Sequence, residues 1–227
     1  MQPRVAAFCF VFSLLWASSS HSLAGDFRIG IAEEYTHLIA VEDGRLKGDI
    51  ASGYACALSK SGHEFSFKVF PLARLLHELR NGGVDAALPL AHNSARDSYG
   101  TITSTVLHSH YLFVSLQGNE FDSEKKGGRF VYVRGFAGES MLHELEGTGV
   151  AVSEWDQGIN MLRLERVDFL LATEKAYLAL SAEQRMGLAH EVVAGVEAAF
   201  YVSNNRMELW HSLNDAIAQC EKEASES

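Results

Sequence analysis

Two stretches of the chain share one pattern of apolar and polar positions. Leu79-Arg80-Asn81-Gly82-Gly83-Val84-Asp85-Ala86-Ala87-Leu88 and Leu162-Arg163-Leu164-Glu165-Arg166-Val167-Asp168-Phe169-Leu170-Leu171 place Leu, Arg, Val, Asp and Leu at equivalent positions. Each reads as the end of an amphipathic helix, a turn and a short apolar strand. Two such units predict two α/β lobes built alike, with any ligand held between them.

The flanking pattern extends this reading. Phe27-Arg28-Ile29-Gly30-Ile31-Ala32 alternates as a first strand and Phe65-Ser66-Phe67-Lys68-Val69-Phe70 as a second. Between them, Asp43-Gly44-Arg45-Leu46-Lys47-Gly48 predicts a hairpin-like turn. Asp49 is placed to cap a helix whose apolar face is Ile50, Tyr54, Ala57 and Leu58. Pro71 suits the first turn of the next helix, in which Leu72, Leu75, Leu76 and Leu79 mark the buried face and Asn81-Gly82-Gly83 the stop. The apolar run 84–89 follows as a strand, and strand-helix alternation of this kind implies a parallel, helix-covered sheet.

Segment 102–116 is β-rich and long enough to leave one lobe and enter another. The second half repeats the scheme, with strands over 130–133, 149–152 and 167–172. One helix there opens at Gly138-Glu139-Ser140 and another at the capping-box pattern Ser153-Glu154-Trp155-Asp156. A helix over 179–185, a strand within 192–202 that returns to the first lobe, and a final helix over 207–223 complete the chain. The apolar positions of that last helix are Leu209, Leu213, Ile217 and Cys220.

The N-terminus has a different character. Arg4 precedes an apolar run over 5–16 and then small residues at the minus-three and minus-one positions of a cut after Ala24. The run is too short for a bilayer span, so 1–24 reads as a cleaved secretory signal and the mature protein as exported. A formal net charge of −10 argues against nucleic acid as a partner. Of the three cysteines, Cys56 and Cys220 lie beyond the signal. An oxidising compartment permits a disulfide between them, but their separation gives no geometry.

The order of these elements resembles the family 3 extracellular solute-binding proteins, the periplasmic receptors of amino-acid-type ABC importers. Gly82-Gly83-Val84-Asp85 looks like that family's Gly-x-Val-Asp turn and Asn93-Ser94-Ala95-Arg96 is similar to its Thr-x-x-Arg element. Ile102-Thr103-Ser104-Thr105-Val106-Leu107 resembles its Phe-Ser-x-Pro-Tyr segment, Val133-Arg134-Gly135 its strand-to-glycine turn, and 161–171 its second Gly-Arg-Val-Asp strand. The resemblance implies a type II two-lobed periplasmic-binding-protein-like α/β fold, each lobe a helix-covered, mostly parallel sheet, joined by two β crossovers. Lobe one spans 25–115 and is completed by 197–227, with 116–196 as lobe two. Hinges are expected near 113–116 and 194–200.

The resemblance also implies a recognition site. Arg96 takes the place of the arginine that clamps a ligand carboxylate, a task suited to its planar fork; the plainer alternative is a surface residue paired with Asp97. Tyr35, at the end of the first strand, is the stacking candidate or else an ordinary loop tyrosine. Asn93, Arg134 and Phe136 fall at positions facing the ligand in the family. Three departures stand out. Ala91 replaces a carboxylate-binding Thr. Phe136 and Ala137 replace a Ser/Thr after Gly135. Thr173 replaces the acid that holds a ligand ammonium, while the adjacent Glu174 points the other way if the strand continues.

The implied function is capture of a small anionic or zwitterionic solute, an amino acid or similar, by a monomeric periplasmic protein for an ABC permease. A sensory or partner-binding domain on the same fold is the alternative, and a dehydratase-like enzyme a more remote one. No Gly-x-Ser-x-Gly elbow, His-Glu-x-x-His or Gly-rich phosphate loop is present. Ten histidines, with His108 and His110 on one strand face and His92 nearby, do not make a metal set at ligand spacing, so neither metal nor cofactor is expected.

Overall fold

A computed structural model describes residues 27–119, 121–122 and 127–226; the expected signal segment 1–24 lies outside them. The chain runs β1 (Phe27–Ala32), β2 (Ala40–Glu42), β3 (Arg45–Lys47), α1 (Ala51–Lys60), β4 (Phe65–Phe70), α2 (Leu72–Arg80), β5 (Ala86–Ala91), β6 (Gly100–Ile102) and β7 (Leu107–Leu116). It continues through β8 (Arg129–Val133), α3 (Met141–Glu144), β9 (Thr148–Val152), α4 (Trp155–Arg163), β10 (Phe169–Thr173), α5 (Glu174–Leu178), α6 (Ala182–Arg185), β11 (Leu188–Ser203) and α7 (Met207–Ser225).

The strand order β4-β1-β5-β11-β7-β10-β8-β9 makes the internal repeat visible. In the first lobe β1 lies between β4 and β5, all parallel. In the second β8 lies between β9 and β10, again parallel. The two lobes meet at β7 and β11, which pair antiparallel from Leu188↔Leu116 to Ala198↔Leu107.

The doubled Val-Asp stretch is a clasp. Asp85 accepts hydrogen bonds from the Arg28 amide at 2.8 Å, Arg28 Nε at 3.0 Å and Arg28 Nη2 at 3.1 Å. Asp168 accepts from the Arg129 amide at 2.8 Å, Arg129 Nε at 3.1 Å and Arg129 Nη2 at 2.6 Å. Each Asp amide donates back to the same arginine's carbonyl at 2.8 Å. The arginine on the central strand therefore fixes the turn that follows the helix, with the bidentate geometry only a guanidinium offers a carboxylate.

The helix ends match as well. Gly83 and Arg166 donate to the carbonyls of Glu78 and Met161, five residues back, as in a Schellman cap. The left-handed position just before them is Gly82 (φ 73°) in one copy and Glu165 (φ 52°) in the other. The first clasp carries more, because Arg206 Nε also bonds Asp85 Oδ1 at 2.8 Å and ties in the start of α7. Burial alone raises the Asp85 carboxyl, but the bonds from Arg28 and Arg206 outweigh it and hold the group below its ordinary 3.8. Asp168 is held low chiefly by Arg129.

Several local expectations shift. Helix α1 begins after Ile50 with no side-chain cap, so Asp49 does not cap it. Helix α4 starts after Glu154 with no side-chain cap, one residue later than a Ser153 cap predicts, and the Gln157 side chain accepts from the Ser153 amide at 3.1 Å. Of the helix expected over 179–185 only α6 forms, opened by a Ser181–Gln184 capping box, and a separate short helix, α5, precedes it. Segment 102–116 breaks between β6 and β7, where Thr103 and Val106 donate to the Phe200 and Ala198 carbonyls.

The first crossover also lies earlier than 113–116. Tyr111, Leu112, Phe113 and Val114 already pair with Thr173, Ala172, Leu171 and Leu170 of β10. Phe113 packs in the second lobe's core against Phe121 and Phe130, with ring centroids at 4.6 and 5.0 Å. The strand has therefore entered the second lobe by Tyr111, and a register shift between Val192 and Ala194 on β11 lies opposite Tyr111 and Leu112.

Cys56 and Cys220 form a disulfide, with Cα atoms 6.2 Å apart, that joins α1 to α7 across 164 residues of sequence. An ion pair between Lys60 and Glu223 at 2.7 Å links the same helices. No helix among the described residues is long and apolar enough to cross a membrane.

Two outcomes follow for stability. Asp85→Ala should cost about 3 kcal/mol in urea unfolding and Asp168→Ala about 1 kcal/mol, because the first leaves two arginines and a buried turn without their acceptor. Both groups contribute stability above about pH 4 that is lost as pH falls through their depressed values, so both variants should lose part of the wild-type acid transition. Equal losses would contradict the asymmetry of the clasps. Replacing both Cys56 and Cys220 by Ser should lower unfolding stability by about 2–5 kcal/mol, read in the same assay.

Candidate functional site

The strands β1, β5, β8 and β10 point their C-terminal ends at the seam between the lobes, where ligands sit in open α/β sheets. A cavity of about 40 Å3, room for a few water molecules, lies there. Its walls come from both lobes and both crossover strands: Tyr35, Ile50, Leu72, Pro89, Leu90, Ala91 and Arg96 on one side, Phe136, Ala137, Thr173 and Lys175 on the other, with Leu107, Ser109, Tyr111, Val196 and Ala198 between.

Arg96 is the organising group. Only 4% of it is exposed, and among the described residues no carboxylate pairs with its guanidinium. Nη1 donates to the Ala91 carbonyl at 2.7 Å and Nη2 to the Gly135 carbonyl at 2.7 Å, so one side chain bonds both lobes. The Tyr201 ring lies 5.7 Å from the guanidinium carbon. Burial lowers its pKa, with the neighbouring tyrosines acting against that shift, and the group remains charged at any physiological pH. The alternative pairing with Asp97 is not made: Asp97 instead accepts from the Tyr201 hydroxyl at 2.8 Å and pairs with His92 at 3.1 Å.

The loop that aims Arg96 is short and well bonded. Asn93 caps the 3-10 turn Ser94–Arg96, its side chain accepting from the Ala95 amide at 3.0 Å. Its carbonyl accepts from the Arg96 amide at 2.8 Å and the Tyr201 hydroxyl at 3.2 Å. Asn93 thus positions Arg96 and does not line the cavity. Tyr35 is buried, its ring 6.4 Å from Trp155 in a T-shaped pair, and it lines the cavity together with Thr173. Thr173 also caps α5, accepting from the Ala176 amide at 3.3 Å.

Phe136 packs edge-on between Tyr111 at 5.4 Å and Trp155 at 5.6 Å. Trp155 Nε1 donates across the seam to the Glu34 carbonyl at 3.3 Å. The Glu34 carboxylate in turn accepts from the Leu72 amide at the start of α2, with both oxygens at 3.0 Å. Burial raises that carboxyl's pKa, opposed by the bond from Leu72. Gly135 lies so close to α2 that a Cβ there would sit 2.9 Å from Leu76 Cδ1. The lobes are in contact on both sides of the cavity, a closed arrangement.

Five sequence-predicted residues therefore meet at the cavity: Tyr35, Ala91, Arg96, Phe136 and Thr173. Three do not line it. Asn93 supports the Arg96 loop; Arg134 is exposed, its amide bonded to the Val152 carbonyl; and Glu174 turns to His110 at 3.0 Å. Ser109, Tyr111 and Lys175 line the cavity without having been singled out. Alternation along β7 was the available signal for the first two, since both lie on the face opposite His108 and His110. Those histidines pair with Glu197 at 3.7 Å and Glu174 at 3.0 Å, and among the described residues no group of three or more potential ligands is placed to hold a metal.

No known protein-family model matches this sequence, and no curated protein does. Solved structures do match. The arginine-, lysine-, histidine-binding protein ArtJ from Geobacillus stearothermophilus aligns with a TM-score of 0.74 at 13% identity, over 88% of this chain and 91% of that one. Holo ArgBP from T. maritima aligns at 0.72 and 14% identity, over 87% and 91%. The BvgS VFT2 domain of Bordetella pertussis, as a double mutant, aligns at 0.70 and 18% identity, over 85% and 86%. At such identities the likeness is one of architecture, and the chain has the two-lobed α/β fold of periplasmic binding proteins.

Proposed function

We propose that this chain is an exported solute-binding protein that closes its lobes around a small carboxylated solute and presents the closed form to an ABC-type permease. The observation that carries this reading is Arg96, a buried guanidinium at the seam with protein carbonyls, but no anion among the described residues, as partners. A desolvated cation of this kind is stabilised by an anion that supplies charge and two acceptors. Structures of the same fold are named for amino-acid binding and for an amino acid ABC transporter, which supports the reading. The Cys56–Cys220 bond supports a periplasmic address.

Opening is a hinge motion of one lobe against the other about the β7–β11 ribbon, and ligand binding shifts the population towards the closed form. The β7–β11 ribbon divides the lobes, the first completed by the end of β11 and α7, and the protein acts as a monomer. A solute larger than a few atoms enters only with the lobes apart, or with Phe136 and Tyr35 displaced, since the closed cavity is about 40 Å3. The same small volume favours a second reading, a sensory domain whose closed lobes face a protein partner; such a domain shows no thermal response to small carboxylates.

In a thermal-shift panel of small carboxylates, the cognate solute at a hundredfold excess over its Kd should stabilise the protein by about 2.7 kcal/mol. Arg96→Ala should abolish that response, and an unchanged rise in this variant would remove Arg96 from the site. Trp155→Phe keeps the ring but loses the hydrogen bond to Glu34 across the seam, worth about 1 kcal/mol, so calorimetry should show roughly fivefold weaker binding of the same solute.

A further inference from the structure

Resting on the carboxylate reading above, we infer that the cleft selects small carboxylates that carry no ammonium group, such as α-keto or plain short-chain acids, over the matching amino acids. Among the described residues the cavity wall includes two cationic residues, Arg96 and Lys175, and no acid.

This imbalance is built into the surroundings. Several acids stand next in sequence to a wall residue, and none reaches the cavity. Glu34, beside Tyr35, is held by the Leu72 amide at 3.0 Å. Asp97, beside Arg96, is bound by Tyr201 at 2.8 Å. Glu174, between Thr173 and Lys175, pairs with His110 at 3.0 Å. Glu197, between Val196 and Ala198, accepts from Thr105 Oγ1 at 2.8 Å. Asp49, beside Ile50, is exposed at the surface.

An ammonium group brings three donors and a positive charge. Desolvated between Arg96 and Lys175 it meets like charge, and the Thr173 hydroxyl already accepts from the Ala176 amide at 3.3 Å. A carboxylate meets the opposite situation. Its charge is matched by the guanidinium, and Ser109 Oγ, buried on the wall with no hydrogen-bond partner among the described residues, is free to donate to a second oxygen. An α-keto oxygen brings neither a positive charge nor donors that the wall must satisfy. The remaining wall, including Leu72, Leu90, Leu107 and Val196, suits a short apolar body. Selectivity arises from what the wall withholds from the amino group as much as from what it offers the carboxylate.

The test is calorimetric titration of the full chain with matched pairs: pyruvate against L-alanine, α-ketoisocaproate against L-leucine, and phenylpyruvate against L-phenylalanine. In at least one pair the keto acid should bind tighter by about tenfold or more, and Lys175→Glu, which adds an acid at the wall, should narrow or invert that preference. A preference for the amino acid, or equal binding within every pair that binds, overturns the inference and leaves the carboxylate reading standing. Binding of no member of any pair, with melting temperatures unmoved by each, overturns both.

Discussion

A guanidinium buried at the meeting of two lobes, without a carboxylate to neutralise it, sets the terms for everything around it. Transfer of a charge from water is costly unless hydrogen bonds and an opposite charge replace the lost hydration. Arg96 has part of this compensation, from the Ala91 carbonyl in one lobe and the Gly135 carbonyl in the other, with the Tyr201 ring nearby. What the protein withholds is the anion. On the proposed function, a carboxylated solute supplies that anion, which would couple binding to closure through one side chain.

The scaffold is arranged to deliver that side chain and its opposing wall. In each lobe an arginine on the central strand clasps the aspartate of the helix-to-strand turn, Arg28 with Asp85 and Arg129 with Asp168, and so sets where β5 and β10 begin. The far ends of those strands carry Ala91 and Thr173 to the cavity. The clasps lie at the opposite ends of β5 and β10 from the cavity, so stability and recognition are physically separated. Loss of a clasp is expected to weaken the fold, and on the proposed function loss of Arg96 removes recognition instead.

Much of the fold was legible because strands and amphipathic helices leave local patterns. The alternation of Phe27–Ala32, the Leu72, Leu75 and Leu79 face, and the repeated Val-Asp turn each reappear as built elements. The clasp partners were less visible. Arg28 and Arg129 both stand on strands that read as strands, but only the fold brings each to an aspartate tens of residues away. The start of α4 was misplaced by one residue because the local bond at Ser153 runs the other way, its amide being taken by the Gln157 side chain while its own side chain caps nothing.

The site was legible only in part. Arg96 stood out through the resemblance of Asn93-Ser94-Ala95-Arg96 to a Thr-x-x-Arg element, and Thr173 through the acid it replaces in the same pattern. Lys175 and Ser109 were hidden because nothing in the sequence shows that the start of α5 reaches the cavity at Lys175 while Glu174 pairs with His110, or where β7 crosses between lobes. The most direct measurement is a crystal structure of the protein with a carboxylate solute selected by thermal shift. The carboxylate is expected between the lobes with its oxygens about 3 Å from the Arg96 guanidinium. A solute bound elsewhere, with Arg96 still held only by protein carbonyls, would contradict it.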